Sequence, residues 1–183
     1  NTPVALGLTG IRLCLAEPVM FRTQMRAILR AAVHGPVRMM WPMITSLSEV
    51  RQCLIHLDTA QRQLTERGET FGPVSIGCMI EIPSAAMTVG SILKLTDFIS
   101  IGTNDLIQYI LSVDRGDDSV SHLYQPGHPA VLKTIQHIIR TANRMEKGVS
   151  ICGEMAGDPA AAVLLLAMGF DSLSMNATNL PKV

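Results

Sequence analysis

Five short apolar runs punctuate this chain, and each is followed by a longer amphipathic or small-residue stretch. No other property of the sequence narrows the fold as much. Parallel strands need a crossover long enough to hold a helix, and repeated βα steps build a parallel sheet covered by helices. The runs predict strands at 37–43, 75–80, 97–101, 149–152 and 172–175. A helix is predicted over 22–33 and stopped by His34-Gly35-Pro36, glycine then proline. Thr45 or Ser46 caps a second helix running to about residue 67, with Glu49 placed to complete a capping box and Gly68 closing it. A helix of small residues begins near Ala85, a short one runs through Leu111, Pro129 opens one reaching about Lys147, and Pro159 opens the last.

Five consecutive βα steps fit a doubly wound sheet or part of a (β/α)8 barrel. Both place functional residues at the carboxyl ends of strands. A full barrel takes about 250 residues, so a chain of 183 residues read as a barrel lacks roughly three strands. The first residue is Asn1 rather than Met, and the expectation is a piece of a longer protein.

Composition removes several classes of function. Apolar residues make up 48% of the chain and charged residues 16%, too greasy for a disordered segment. Fifteen basic residues balance fifteen acidic ones, so no general affinity for nucleic acid or anionic membranes is expected. The longest greasy stretch, 160–170, is far short of the ~20 residues that span a bilayer and reads as a buried helix. Cys14, Cys53, Cys78 and Cys152 form no CxxC pair and indicate neither zinc nor a disulfide framework. With no signal peptide, a reducing cytoplasm is the expected compartment.

The residues with chemical potential stand just after the strands. Glu81 comes after the second, Asn104 and Asp105 after the third, and Cys152 with Glu154 at the end of the fourth. Two carboxylates meeting on that rim, Glu81 and Asp105, make a hard oxygen site suited to Mg²⁺ with room for water and an anion. Helix capping or pairing with arginine is the competing reading. The turn Gly102-Thr103-Asn104-Asp105 can offer backbone N–H groups to a phosphate, although Asn and Asp are also favoured caps. Arg115 can clamp a phosphate bidentately or pair with Asp114, Asp117 or Asp118. Cys152 can exchange a proton with an enol if its surroundings tune it, or be a small buried hydrophobe. The five histidines have no obvious catalytic partner. The stretch 18–48 carries Arg22, Arg26, Arg30 and Arg38 and no acidic residue, which suits a docking face or a solvated helix face.

Ile80-Glu81-Ile82-Pro83-Ser84-Ala85-Ala86, the run from Asp97 to Leu106, Val113-Asp114-Arg115-Gly116 and Cys152-Gly153-Glu154-Met155-Ala156-Gly157-Asp158 resemble the phosphoenolpyruvate (PEP)-utilising enzymes. The likeness is greatest to the enzyme I branch of the PEP-dependent sugar phosphotransferase system, with its fused multiphosphoryl and nitrogen-regulating relatives. It extends through Arg26-Ala27-Ile28-Leu29-Arg30-Ala31 and Leu123-Tyr124-Gln125-Pro126 to nearly the whole chain. The resemblance implies an α/β fold, the carboxyl-terminal part of a (β/α)8 TIM barrel of the PEP/pyruvate type. Residues 1–183 would form a partial PEP-binding barrel, and the amino-terminal phosphohistidine and HPr-binding domains would lie elsewhere.

By the same resemblance Glu81 and Asp105 ligate Mg²⁺, Asn104, Asp105 and Arg115 bind substrate, and Cys152 is the proton donor that turns the enolate into pyruvate. The implied partners are PEP or pyruvate, an HPr-type carrier reached through the absent domain, and a second copy in a homodimer. The implied activity is phosphoryl transfer from PEP to a histidine and on to HPr, the first step of sugar uptake, with the isolated piece inactive alone. The stretch Ala5-Leu6-Gly7-Leu8-Thr9-Gly10-Ile11-Arg12 departs from the family, which usually has arginine where Thr9 stands, while Arg12 matches a more peripheral arginine. A Mg²⁺-dependent pyruvate or PEP aldolase-lyase and a non-catalytic regulatory paralogue are the alternatives.

Overall fold

A computed structural model describes residues 6–183, so Ala5 of the last motif lies outside the described residues. Five strands form one sheet: β1 (Val37–Trp41), β2 (Val74–Ile80), β3 (Phe98–Gly102), β4 (Gly148–Cys152) and β5 (Ser172–Ser174). They are hydrogen-bonded in sequence order and every pair is parallel. Among the described residues eight α-helices accompany them: α1 (Ile11–Ala16), α2 (Pro18–Ala31), α3 (Leu47–Glu66), α4 (Pro83–Met87), α5 (Val89–Leu93), α6 (Thr103–Leu111), α7 (Pro129–Arg144) and α8 (Pro159–Met168). All five predicted strands exist within two residues of their expected limits.

The register sorts the side chains onto two faces, because successive strand residues point to opposite sides. Met39 pairs with Ile76, Trp41 with Cys78, Ile80 with Ile101 and Ile101 with Ile151. This apolar face joins Val50, Leu57, Leu93 and Ile135 from the helices in one buried cluster. The other face holds Met40 beside Gly77, Met79 beside Ser100, Ser100 beside Ser150 and Gly102 beside Cys152. It mixes small and polar residues with Met40, Met79 and Phe98, and the candidate chemistry stands at its carboxyl end. At the opposite end the Arg38 guanidinium lies 5.1 Å from the Phe98 ring centroid. Gly77 lies between them, where a Cβ would run into that ring.

Several local expectations change. The predicted helix 22–33 begins earlier, as α2, because Pro18 serves as its first residue. The helix from Ala85 is two short helices that meet at Thr88. Helix α1 was not anticipated. Ser46 and Glu49 do form the capping box of α3, with Ser46 N–H donating to Glu49 Oε2 at 3.1 Å. Helix α8 is not the buried helix expected from its composition: Ala162 and Leu165 are buried, whereas Val163 and Leu166 are 69% and 57% exposed. Its main packing partner is the short turn at 154–157 rather than the sheet.

The arginines of 18–48 are engaged by neighbouring side chains instead of forming a free basic face. Arg22 Nη1 lies 3.3 Å from His56 Nδ1, Arg26 donates to Gln63 Oε1 at 2.5 Å, and Arg30 pairs with Glu69 at 2.9 Å. Two of them tie α2 to α3.

Among the described residues β1 and β5 are edge strands with one unpaired side each. Such edges template association with another chain. Light scattering of the 183-residue chain is expected to show species larger than one chain that grow with concentration; a monodisperse monomer would contradict this.

Candidate active site

Glu81 comes first after β2 and continues its alternation onto the face of Met79 and Ser100. It is 6% exposed and its Oε1 accepts a 2.7 Å hydrogen bond from Met43 N–H. Met43 has φ 58°, a left-handed conformation that costs an L residue roughly 1–2 kcal/mol. Gly10 makes room for it, since a Cβ there would stand 2.7 Å from Met43 Cγ. The segment before α1 is thereby drawn to the rim. Gly102 opens the other side, as a Cβ there would sit 2.7 Å from Glu81 Oε2.

Asp105 lies in the first turn of α6, within hydrogen-bonding reach of the Glu81 carboxyl. Burial raises the Glu81 pKa from 4.5 to about 7; the Met43 N–H opposes this and the Asp105 charge adds to it. Neither of the competing readings accounts for the pair. Helices α4 and α6 start without a side-chain cap bond, and the arginine-to-carboxylate bridges among the described residues involve other groups. Two facing carboxylates with hard oxygen donors suit Mg²⁺, which takes one or two carboxylates and keeps water and substrate oxygens. The donor set fits that ion; the described residues contain no cluster of three or more His, Cys, Asp or Glu side chains around one point.

Cys152 ends β4 opposite Gly102. Its Sγ accepts from Ser100 Oγ at 3.9 Å and lies 3.6 Å from Ile101 O and 3.7 Å from Met79 Sδ. Burial raises its pKa, the Ser100 hydroxyl lowers it, and the charges of Glu81 and Asp105 raise it further. The net direction keeps the thiol protonated, as a proton donor requires. Cys53 and Cys78 are fully buried and raised by desolvation, the ordinary fate of core thiols.

Asn104 does not cap α6, whose N-cap is Gly102. Its Oδ1 accepts from Glu154 N–H at 3.0 Å, and its backbone oxygen accepts from the Tyr124 hydroxyl at 3.4 Å. Gly153 permits this approach: it has φ +118°, and a Cβ there would collide with Thr103 Oγ1 and Asn104 Oδ1. Arg115 pairs with none of the nearby aspartates. Asp114 Oδ1 receives Gly116 N–H, Asp117 holds Ser119, and Arg115 Nη1 reaches Glu154 Oε1 at 3.4 Å. Glu81, Asp105, Asn104 and Cys152 thus share one rim, and Arg115 joins it through Glu154.

Thr9 is exposed in the bend before α1, with its N–H on Gly7 O. The Arg12 guanidinium donates to Leu6 O and Gly7 O and lowers the Tyr109 pKa against the larger upward effects of burial, Asp105 and Glu81. Sequence reading did not single out Ser100, Met43 or Tyr124. The strand alternation that puts Ser100 on the face of Cys152 was the available signal for the first. Among the histidines, His128 caps α7 by accepting from Ala130 N–H.

A parallel sheet of successive βα units, with a carboxylate pair, a thiol and a guanidinium at its carboxyl edge, is the arrangement of the TIM-barrel class. Over residues 2–183 the chain matches the family described as PEP-utilising enzyme, PEP-binding domain, and it belongs to that family. It is 52% identical over 180 residues to a phosphoenolpyruvate-protein phosphotransferase of Cupriavidus necator, covering 98% of this chain and 31% of the relative. It is 44% identical over 176 residues to the protein of that name from Bacillus subtilis, covering 96% and 31%. The chain therefore spans about a third of the length of these relatives. In structure it resembles a citrate lyase of Burkholderia xenovorans, with TM-score 0.64 and 19% identity, covering 87% of this chain and 51% of that one. It also resembles an HpcH/HpaI aldolase/citrate lyase family protein of Burkholderia cenocepacia, with TM-score 0.60 and 14% identity, covering 90% and 65%. These two likenesses bear on the fold alone.

The raised pKa of Glu81 has a consequence for stability. The folded state holds the Glu81 proton more tightly than the unfolded chain. The stability this contributes is complete below about pH 4.5 and lost as pH rises to about 7. In metal-free buffer, the unfolding free energy of the native chain relative to Glu81→Gln, measured by urea titration, is expected to fall over that interval by up to about 3 kcal/mol. A constant difference would contradict the shift.

Proposed function

We propose that this chain is the PEP- and Mg²⁺-binding part of a PEP-protein phosphotransferase. The observation that carries the reading is the pairing of buried Glu81 with half-buried Asp105 on the same rim as a protonated Cys152 thiol. Bound Mg²⁺ supplies positive charge that stabilises the phosphoryl and enolate oxygens.

The chain's own groups do the rest. Arg115 and the Asn104 carboxamide hold the phosphate by charge-assisted and neutral hydrogen bonds. The phosphoryl group leaves the enol oxygen for a histidine on another domain, and from there passes to an HPr-type carrier. The enolate carbon then takes the Cys152 proton, forming a C–H bond and giving pyruvate. Ser100, which donates to Cys152 Sγ, stabilises the thiolate that remains.

The domain boundaries at 1–183, a homodimer, a cytoplasmic location and a role in sugar uptake belong to the same proposal, by likeness to the enzyme I branch. Among the described residues no helix is long and apolar enough to cross a membrane. A non-catalytic regulatory role has one observation in its favour, the uncharged Thr9 where the family usually carries arginine. Without a guanidinium at that position, anion binding is weaker by about 1.5–3 kcal/mol, the value of one charged hydrogen bond.

Calorimetric titration with oxalate, an enolpyruvate mimic, tests the reading. Binding is expected with Mg²⁺ and not without it, and Glu81→Ala is expected to weaken it more than the roughly 10–100-fold typical of outer-shell changes. Equal binding with and without the metal, or by the variant, would overturn the assignment.

A further inference from the structure

Two cavities open on the rim around Glu154. One of about 420 Å³ is bounded by Arg115, Gly116, Ser121 and Tyr124. The other, of about 320 Å³, is bounded by Asn104, Cys152 and residues after β5 such as Asn176. Glu154 is the residue common to both linings. Its N–H holds Asn104 Oδ1 at 3.0 Å and its carboxylate holds Arg115 at 3.4 Å. It therefore touches both groups assigned to the phosphate. The glycine at 153 fixes this placement, because any side chain there would strike Thr103 and Asn104.

The Glu154–Arg115 pair is built to exchange. The two side chains are 74% and 41% exposed, and a long ion pair in water is weak. We propose that the Glu154 carboxylate is an internal competitor for the Arg115 guanidinium. Arg115 alternates between Glu154 and the ligand, and Glu154 sets the affinity threshold an anion must exceed. The inference rests on the reading of Arg115 as a phosphate ligand.

A guanidinium fork accepts a carboxylate or a phosphate in the same geometry. A monocarboxylate ligand is by charge no better than Glu154, which is tethered beside Arg115 at an effective concentration of order millimolar. A phosphate dianion brings more charge and more acceptor oxygens and displaces it. Once the phosphoryl group has left, the remaining product is a monocarboxylate, so Arg115 returns to Glu154 and no longer holds the product. Glu154 acts on ligand affinity and release and takes no part in the bond changes.

The test is titration of the 183-residue chain with inorganic phosphate, monitored by ³¹P NMR, for the native sequence, Glu154→Gln, Arg115→Ala and the double variant. Glu154→Gln keeps the backbone bond to Asn104 and changes an exposed side chain. It is expected to tighten phosphate binding about fivefold, the scale of one exposed ion pair, and to have no effect once Arg115 is alanine. Unchanged or weaker binding by Glu154→Gln, or equal tightening in the Arg115→Ala background, would overturn the competitor role. If Arg115→Ala alone left phosphate binding intact, the phosphate role of Arg115 would fail instead. No binding by any of the four would overturn both.

Discussion

Two carboxyl groups that repel each other stand within hydrogen-bonding reach at the carboxyl edge of a parallel sheet, and much of the local architecture serves to keep them there. Glu81 is held by the N–H of a left-handed Met43, and Met43 in turn needs Gly10 to lack a side chain. Gly102 leaves the space in front of Glu81 Oε2. Desolvating an anion is costly, and unless a cation compensates it the group binds a proton instead. The arrangement is thus a site that carries a proton when empty and is suited to a divalent ion when filled. A carboxylate serving only packing would be less costly to bury as glutamine.

The same rim separates its chemical tasks by environment. Burial and the neighbouring carboxylates raise the Cys152 thiol, which keeps it an acid. The groups proposed to hold phosphate lie further out, where the Arg115 side chain is partly exposed to water. On the proposed reading, this gradient from half-buried thiol to exposed guanidinium would let a ligand's anionic end meet Arg115 and its carbon end reach Cys152.

The sheet was legible in the sequence because parallel buried strands read as short apolar runs between turn signals, and all five were found. Glu81, Asn104, Asp105 and Cys152 were legible for a related reason: in repeated βα units the residue after each strand faces the same rim. The features that escaped sequence reading depend on tertiary contacts. Helix α1 begins after a glycine with φ 56° and lacks a side-chain cap, so it had no start signal. The break at Thr88 falls in a run of small apolar residues with no proline or glycine at the break. The exposure of α8 depends on what surrounds its outer face, which composition does not record. The partner of Arg115 was missed because proximity in sequence favoured three aspartates, whereas the fold satisfies two of them locally and presents Glu154 from across the rim.

Glu154 shows why that last distinction matters. Aspartates beside Arg115 in sequence would form pairs that move with the arginine and could not report on the rest of the rim. Glu154 belongs to a different βα unit, and its backbone is fastened to Asn104 while its side chain reaches Arg115. A shift of the turn after Cys152 therefore changes the carboxamide and the guanidinium together, with the acid only two residues away. In the proposed function, anion binding and proton donation would be coupled through this one short segment, placed by Gly153, a position where a side chain would strike Thr103 and Asn104.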